Sequence, residues 1–155
     1  MRREEALSRE TTFTVLMADD DEDDRLLARD AFRECGIDID LRFVENGEEL
    51  LEYLHGRGPW TGCPAPSLII LDLNMPRLDG RQALAAIKEH PALRRIPVVV
   101  ITTSKAEEDV LRTYDLGVSS FISKPGSYES LLALIRTLSN YWFRTVRLPG
   151  HAPVK

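Results

Sequence analysis

The chain has 155 residues, 43% hydrophobic and 29% charged, with 9 Gly and 9 Pro. That is the size and balance of one compact domain able to fold without a metal or disulfide staple, and it excludes collagen-like, low-complexity and wholly disordered chains. No apolar run reaches the roughly 18 residues of a membrane-spanning helix, and the charged opening MRREEALSRETT is unlike a secretory signal. The formal net charge of −5 is unevenly spread: residues 1–80 hold 9 basic and 19 acidic side chains, residues 81–155 hold 11 and 6. An acidic half with no basic stripe argues against nucleic acid as the direct partner. Cys35 and Cys63 form neither a CxxC nor a metal-ligand spacing and read as free thiols of a reducing cytoplasm.

Taken in order, FTVLMA (Phe13 to Ala18) is a short strand that runs into six consecutive acids, Asp19 to Asp24. Arg25 to Cys35 has helical spacing, with Leu27, Ala31 and Cys35 on one face beside Leu26, and Arg25, Arg29 and Arg33 on another. Asp21 is its candidate N-cap. DLRFVEN (Asp40 to Asn46) alternates as a strand does, and Gly47 to His55 is a short helix. GRGPWTGCPAPS (Gly56 to Ser67) is too rich in Gly and Pro to be anything but loop. LIILD (Leu68 to Asp72) is a strand buried on both faces, NMPRLDG a turn, and Arg81 to His90 a helix. IPVVVIT (Ile96 to Thr102) is a second fully apolar strand. SKAE (Ser104 to Glu107) reads as a capping box, opening a helix that Gly117 closes. SSFIS (Ser119 to Ser123) is the last strand, and Tyr128 to about Val146 a long helix.

Five strands alternating with five helices call for a doubly wound α/β fold, a five-stranded parallel sheet with helices on both faces. Sites in such sheets form beyond the carboxyl ends of the strands. Those ends carry Asp19 and Asp20, Asp72, Thr102 and Lys124. Converging carboxylates repel one another unless a cation joins them, and Mg²⁺ suits oxygen ligands of this kind. With an ammonium and a hydroxyl nearby, the set suits phosphoryl transfer onto a carboxylate, with Asp72 as nucleophile. Singly, each residue has a plainer reading: an Asp after a strand is commonly a turn or helix cap, and the acidic run a solvated helix start. Four unrelated strand ends bearing complementary groups in one short chain favour the joint reading.

From about Phe13 to Tyr141 the chain resembles the receiver domain of two-component response regulators. ADDD, LIILDLNMPRLDG, PVVVITTS and SFISKP match that family in order and spacing. The resemblance implies a flavodoxin- or CheY-like sheet of order 2-1-3-4-5, a receiver domain over residues 12–147, and tails at 1–11 and 148–155. It implies that Asp72 accepts phosphate from a sensor histidine kinase. Mg²⁺ would be held by Asp20, Asp72 and the backbone carbonyl of Asn74, with Asp19 assisting through water. Thr102 and Lys124 would contact the phosphoryl group, Lys124-Pro125 would be a cis peptide, and Phe121 would be an aromatic switch. Asn74 and Ser104 flank the path of attacking water and would tune the acyl phosphate's lifetime. Helix one would dock the kinase, placing Arg25 and Arg29 at that contact; the row of Arg25, Arg29 and Arg33 reads equally as a solvated helix face.

A narrower resemblance rests on TTSKAEEDVLRTYDLGVSSFISKP, the long loop before the third strand and YWFRTVRLP. These look like stand-alone response regulators paired with bacterial and cyanobacterial phytochromes, which implies a bacteriophytochrome partner and agrees with a homodimer; the cytoplasmic placement away from the membrane follows from the free thiols and the lack of a signal or spanning segment. In the last helix Tyr128, Leu131, Leu132, Ile135, Leu138 and Trp142 form one apolar stripe. Tyr141, Trp142 and Phe143 are consecutive and span about 200° of a helix, more than one sheet face covers. They are therefore the candidate dimer interface, unless residues from Thr145 onward fold back over them. Two rivals stand beside this reading. A haloacid dehalogenase-type phosphatase needs a second acid where Asn74 stands, and a receiver that only binds partners would lack one of Asp20, Asp72, Thr102 and Lys124. The remaining alternative is a receiver served by a kinase other than a phytochrome.

Overall fold

A computed structural model describes residues 13–150 of the chain. The strands are β1 (Phe13–Ala18), β2 (Ile39–Val44), β3 (Leu68–Leu71), β4 (Val98–Thr102) and β5 (Ser120–Ser123). The helices are α1 (Glu22–Cys35), α2 (Gly47–Leu54), α3 (Gly80–Glu89), α4 (Glu107–Asp115) and α5 (Tyr128–Ser139). All strand pairs are parallel, in the order β2-β1-β3-β4-β5. This is the CheY-like order anticipated above.

The three central strands show why the sequence takes this form. Successive side chains of a strand point to opposite faces. Leu16, Ala18, Ile69, Leu71, Val98 and Val100 pack on α2 and α3. Val15, Met17, Leu68, Ile70, Val99 and Ile101 pack on α1 and α5. Both faces are covered, so these strands carry unbroken apolar runs, whereas edge strand β2 is half-buried along most of its length.

Several local expectations are corrected. The buried stripe of α1 is Ala28, Ala31 and Phe32, while Leu26 and Leu27 are 38% and 41% exposed. Two alanines let the helix approach the sheet closely, and Phe32 fills the space beyond them; a stripe through Leu27 would turn Phe32 outward. The loop 56–67 contains a 3₁₀ turn, Gly58–Trp60. Tyr53 donates its hydroxyl to the Pro64 carbonyl at 2.9 Å and so pins that loop to α2. The capping box at α4 is not formed: Ala106 is the N-cap and supplies no side-chain bond. Ser104 lies two residues before that N-cap, out of reach of the cap position, and its hydroxyl instead donates to the Asp109 carboxylate at 2.6 Å. The peptide Lys124-Pro125 is trans, as there is no cis peptide among the described residues; trans is the form an X–Pro bond favours.

The C-terminal helix does run on from α5, but as a π-helical stretch, Asn140–Thr145. The Val146 amide donates to the Tyr141 carbonyl at 3.0 Å, the five-residue spacing of a π turn. This winding sorts the three aromatics. Phe143 is 2% exposed and lies 4.8 Å from Phe13, ring to ring, Trp142 is half-buried, and Tyr141 is 50% exposed. Leu148, at the start of the expected tail, is buried against the same core, so the chain does fold back in part.

Candidate functional site

Register brings the site together. Ala18 pairs with Leu71, so the residues that follow, Asp19 and Asp72, leave the sheet side by side. Thr102 pairs with Ser123 one strand further on, and the Lys124 amide donates to the Thr102 carbonyl at 2.9 Å. Asp19, Asp72 and Thr102 are buried and Asp20 is exposed. Of the expected residues, Asp19, Asp20, Asp72, Asn74, Thr102 and Lys124 therefore converge.

Asp72 is held by its neighbours. Its Oδ1 accepts from Thr102 Oγ1 at 2.9 Å and from the Asn74 amide at 3.2 Å, and its Oδ2 accepts from Lys124 Nζ at 3.0 Å. Gly80 backs this arrangement: its amide donates to the Leu73 carbonyl at 3.0 Å. A Cβ there would lie 2.6 Å from Leu73 Cα and collide with the Asp72 carbonyl. The NMPRLDG turn thus ends in the one residue type that lets α3 sit against the end of β3. Within that turn Arg77 has φ 68°, a left-handed conformation that costs a side-chain-bearing residue energy.

One carboxylate oxygen from each of Asp19, Asp20 and Asp72 lies within 4.8 Å of the others. Three hard anionic oxygens, two from buried carboxylates and one from an exposed one, fit a divalent cation of the Mg²⁺ or Mn²⁺ kind. Burial pushes the Asp19 carboxyl above its ordinary range, against the Asp21 amide and Lys124, which favour its charge. Burial alone would lower the Lys124 ammonium, but hydrogen bonds to Asp24, Asp19 and Asp72 outweigh it and raise its pKa.

Asp24 is the participant that sequence reasoning passed over. It lies in the first turn of α1, and its Oδ2 accepts from Lys124 Nζ at 2.7 Å. The signal was an acid one helical turn beyond the N-cap, hidden within a run of six. A second network carried no sequence signal: Arg81 and Asp109 are 28 residues apart. Arg81 grips both Asp109 oxygens, at 2.7 and 2.6 Å, and holds that carboxyl down at about 2, with help from the Ser104 hydroxyl. The Ser104 amide in turn donates to Thr102 Oγ1 at 3.3 Å. Ser104 thus links the site to α4.

The other expected residues are placed as follows. Asn74 is exposed, with Nδ2 3.4 Å from both the Thr102 and Thr103 hydroxyls. Phe121 is half-buried against the α2–α3 core, its amide donating to the Tyr114 hydroxyl at 3.2 Å. Arg25 is turned inward, donating to the Asp19 carbonyl at 2.8 Å and to Glu45 at 3.0 Å; Arg29 is exposed. Beside Lys124 a cavity of about 360 Å³ opens between α1 and α5, over Leu27, Ala28, Leu131 and Ile135. No helix among the described residues is long and apolar enough to cross a membrane.

Comparison with known proteins agrees with this geometry. The chain is 37% identical over 136 residues to the response regulator Rcp1 of Synechocystis sp., covering 88% of this chain and 92% of that one. The Mn²⁺-bound form of Rcp1 superposes with a TM-score of 0.83 at 36% identity, covering 88% and 99%. The phosphorylated cyanobacterial phytochrome response regulator RcpA superposes with a TM-score of 0.85 at 35% identity, covering 89% and 99%. The probable methanogenesis regulatory protein FilR2 of Methanothrix harundinacea is 35% identical over 150 residues, covering 96% of this chain and 95% of that one. The response regulator receiver domain matches residues 15–136. With all of the strand-end groups of that family converging here, the chain is a response regulator and belongs to the receiver-domain family, a signalling family.

Proposed function

We propose that Asp72 takes a phosphoryl group from a phosphohistidine of a sensor kinase. An Asp72 carboxylate oxygen attacks phosphorus, the N–P bond breaks, and the imidazole leaves with the electron pair. Asp19, Asp20, Asp72 and the Asn74 carbonyl would hold Mg²⁺, which neutralises the charge that accumulates on the transferred group. Thr102 donates its hydroxyl to one phosphoryl oxygen and Lys124 its ammonium to another, and the partner kinase supplies only the phosphohistidine. The observation that carries this reading is the convergence on Asp72 of Thr102 at 2.9 Å and Lys124 at 3.0 Å, beside Asp19 and Asp20. The decisive experiment is intact mass after incubation with acetyl phosphate. A gain of about 80 Da that needs Mg²⁺ and vanishes in Asp72→Asn supports the reading. No gain by folded protein, beside a working control receiver, would leave a receiver that acts only by binding partners.

The partner we propose is a bacteriophytochrome, in a cytoplasmic pathway, with the homodimer as the working form. RcpA, a cyanobacterial phytochrome response regulator, supports the first, and a solved regulator of red light signalling in R. palustris, 34% identical with a TM-score of 0.82, extends the likeness beyond cyanobacteria. FilR2 is the counterexample that makes a kinase-exchange assay necessary. Exposed Tyr141, edge-on to Trp142 at 5.0 Å, supports a dimer through the C-terminal helix. Of the two candidate docking arginines, Arg25 is tied to the Asp19 carbonyl and Glu45, whereas Arg29 is exposed and so placed to meet a kinase. Charge reversal there should slow transfer from the kinase and leave acetyl phosphate labelling unchanged.

A further inference from the structure

Lys124 Nζ has three protons and three carboxylate partners: Asp24 at 2.7 Å, Asp19 at 3.0 Å and Asp72 at 3.0 Å. Two of these, Asp19 and Asp72, belong to the acidic cluster that fits a divalent cation; Asp24 does not. Ammonium and cation therefore compete for the same two carboxylates, and Asp24 is the anchor that lies outside the contest. It is also firmly placed. The Asp21 side chain caps α1 through the amides of Asp23 and Asp24, and Arg25 ties the same turn to the Asp19 carbonyl and to Glu45.

We infer that Asp24 is a positioning residue for Lys124: it draws the ammonium to the rim of the site, so that Asp19 and Asp72 stay available to a divalent cation. The inference rests on the cation-assisted reading above. Asp24 touches neither the reacting carboxylate nor the transferred group; it acts through Lys124. Without it, Lys124 leans on Asp19 and Asp72 alone, and a cation must displace it from both.

The test is Mg²⁺ titration by calorimetry on the full chain. Asp24→Asn is compared with Asp23→Asn, which removes the same charge from an exposed position on the same turn. Asp24→Asn should weaken Mg²⁺ binding by about five-fold, the scale of one partly exposed ion pair, and Asp23→Asn by less than about two-fold, as a screened charge does. In a Lys124→Met background the Asp24→Asn effect should shrink to that of Asp23→Asn, because the residue through which it acts is gone. The ¹⁵Nζ resonance of Lys124 should also broaden through faster proton exchange in Asp24→Asn and not in Asp23→Asn. Equal effects of the two variants, or an undiminished Asp24→Asn effect without Lys124, would overturn the inference. Wild-type protein that binds no Mg²⁺ would instead refute the cation site on which it rests.

Discussion

The ion pair between Arg81 and Asp109 offers a demanding quantitative test, because it ties α3 to α4 and, through Ser104, to Thr102. The perturbation is Asp109→Asn. The carboxylate it removes accepts two bonds from the guanidinium, at 2.7 and 2.6 Å, and one from the Ser104 hydroxyl at 2.6 Å. The two side chains are only 21% and 12% exposed. A fall in the carboxyl pKa from 3.8 to about 2, at about 1.36 kcal/mol per unit and discounted for residual solvent screening, is worth about 2 kcal/mol. Asp109 is depressed in the folded state, so its contribution is fully present above the unfolded value of 3.8 and is lost as pH falls through about 2. The assay is a double-mutant cycle in urea, with Asp109→Asn, Arg81→Met and the pair. Because the Ser104 hydroxyl supplies part of that fall, a coupling energy of about 1 to 2 kcal/mol at neutral pH, fading in acid below the unfolded value, agrees with the structure. Coupling below about 0.5 kcal/mol would mean an ordinary surface pair, and the tie between α3 and α4 would fail with it.

Three further outcomes follow from particular residues. Arg77→Gly should raise stability in urea by about 1 kcal/mol, since φ 68° is open to glycine and costly to arginine; destabilisation would show that the exposed ion pair Arg77 makes with Glu48, at 4.0 Å, matters more. Gly80→Ala should abolish Mg²⁺-dependent labelling by acetyl phosphate while near-native helix content persists in circular dichroism, because the added methyl must push α3 off the end of β3, where Asp72 sits. Undiminished labelling would contradict the close packing at Gly80. Phe143→Ala should cost about 3–5 kcal/mol as a fully buried phenyl, and a loss under 1 kcal/mol would show that the π-helical stretch does not seat it against Phe13.

What the sequence disclosed and what it hid divide along physical lines. The central strands were legible because burial on both faces demands unbroken apolar runs, and Leu68 to Leu71 and Val98 to Ile101 have them. The site was legible because its groups stand where strands end, a position that sequence order marks directly. The face of α1 was misjudged because Leu27 and Phe32 both offer an apolar stripe at helical spacing, and only the closeness of approach through Ala28 and Ala31 decides between them. The Ser104 box failed because the helix starts two residues later than the motif presumes, with Ala106 as its N-cap, while the Asp109 carboxylate that takes the Ser104 hydroxyl is itself positioned by Arg81 on another helix. Asp24 was hidden by its company, since six adjacent acids look alike until α1 turns one of them toward Lys124. Neither long-range pair leaves a local trace.

If Asp72 itself forms an acyl phosphate, borohydride reduction will mark it. Protein labelled by acetyl phosphate in Mg²⁺ is reduced, digested and sequenced by mass spectrometry, since hydride converts an aspartyl phosphate, and not a free carboxylate, to homoserine. Homoserine is expected in place of Asp72 and nowhere else, and is lost when Mg²⁺ is withheld. Homoserine at Asp19, Asp20 or Asp24 with Asp72 unchanged, or no homoserine in protein shown to carry phosphate, would contradict that expectation.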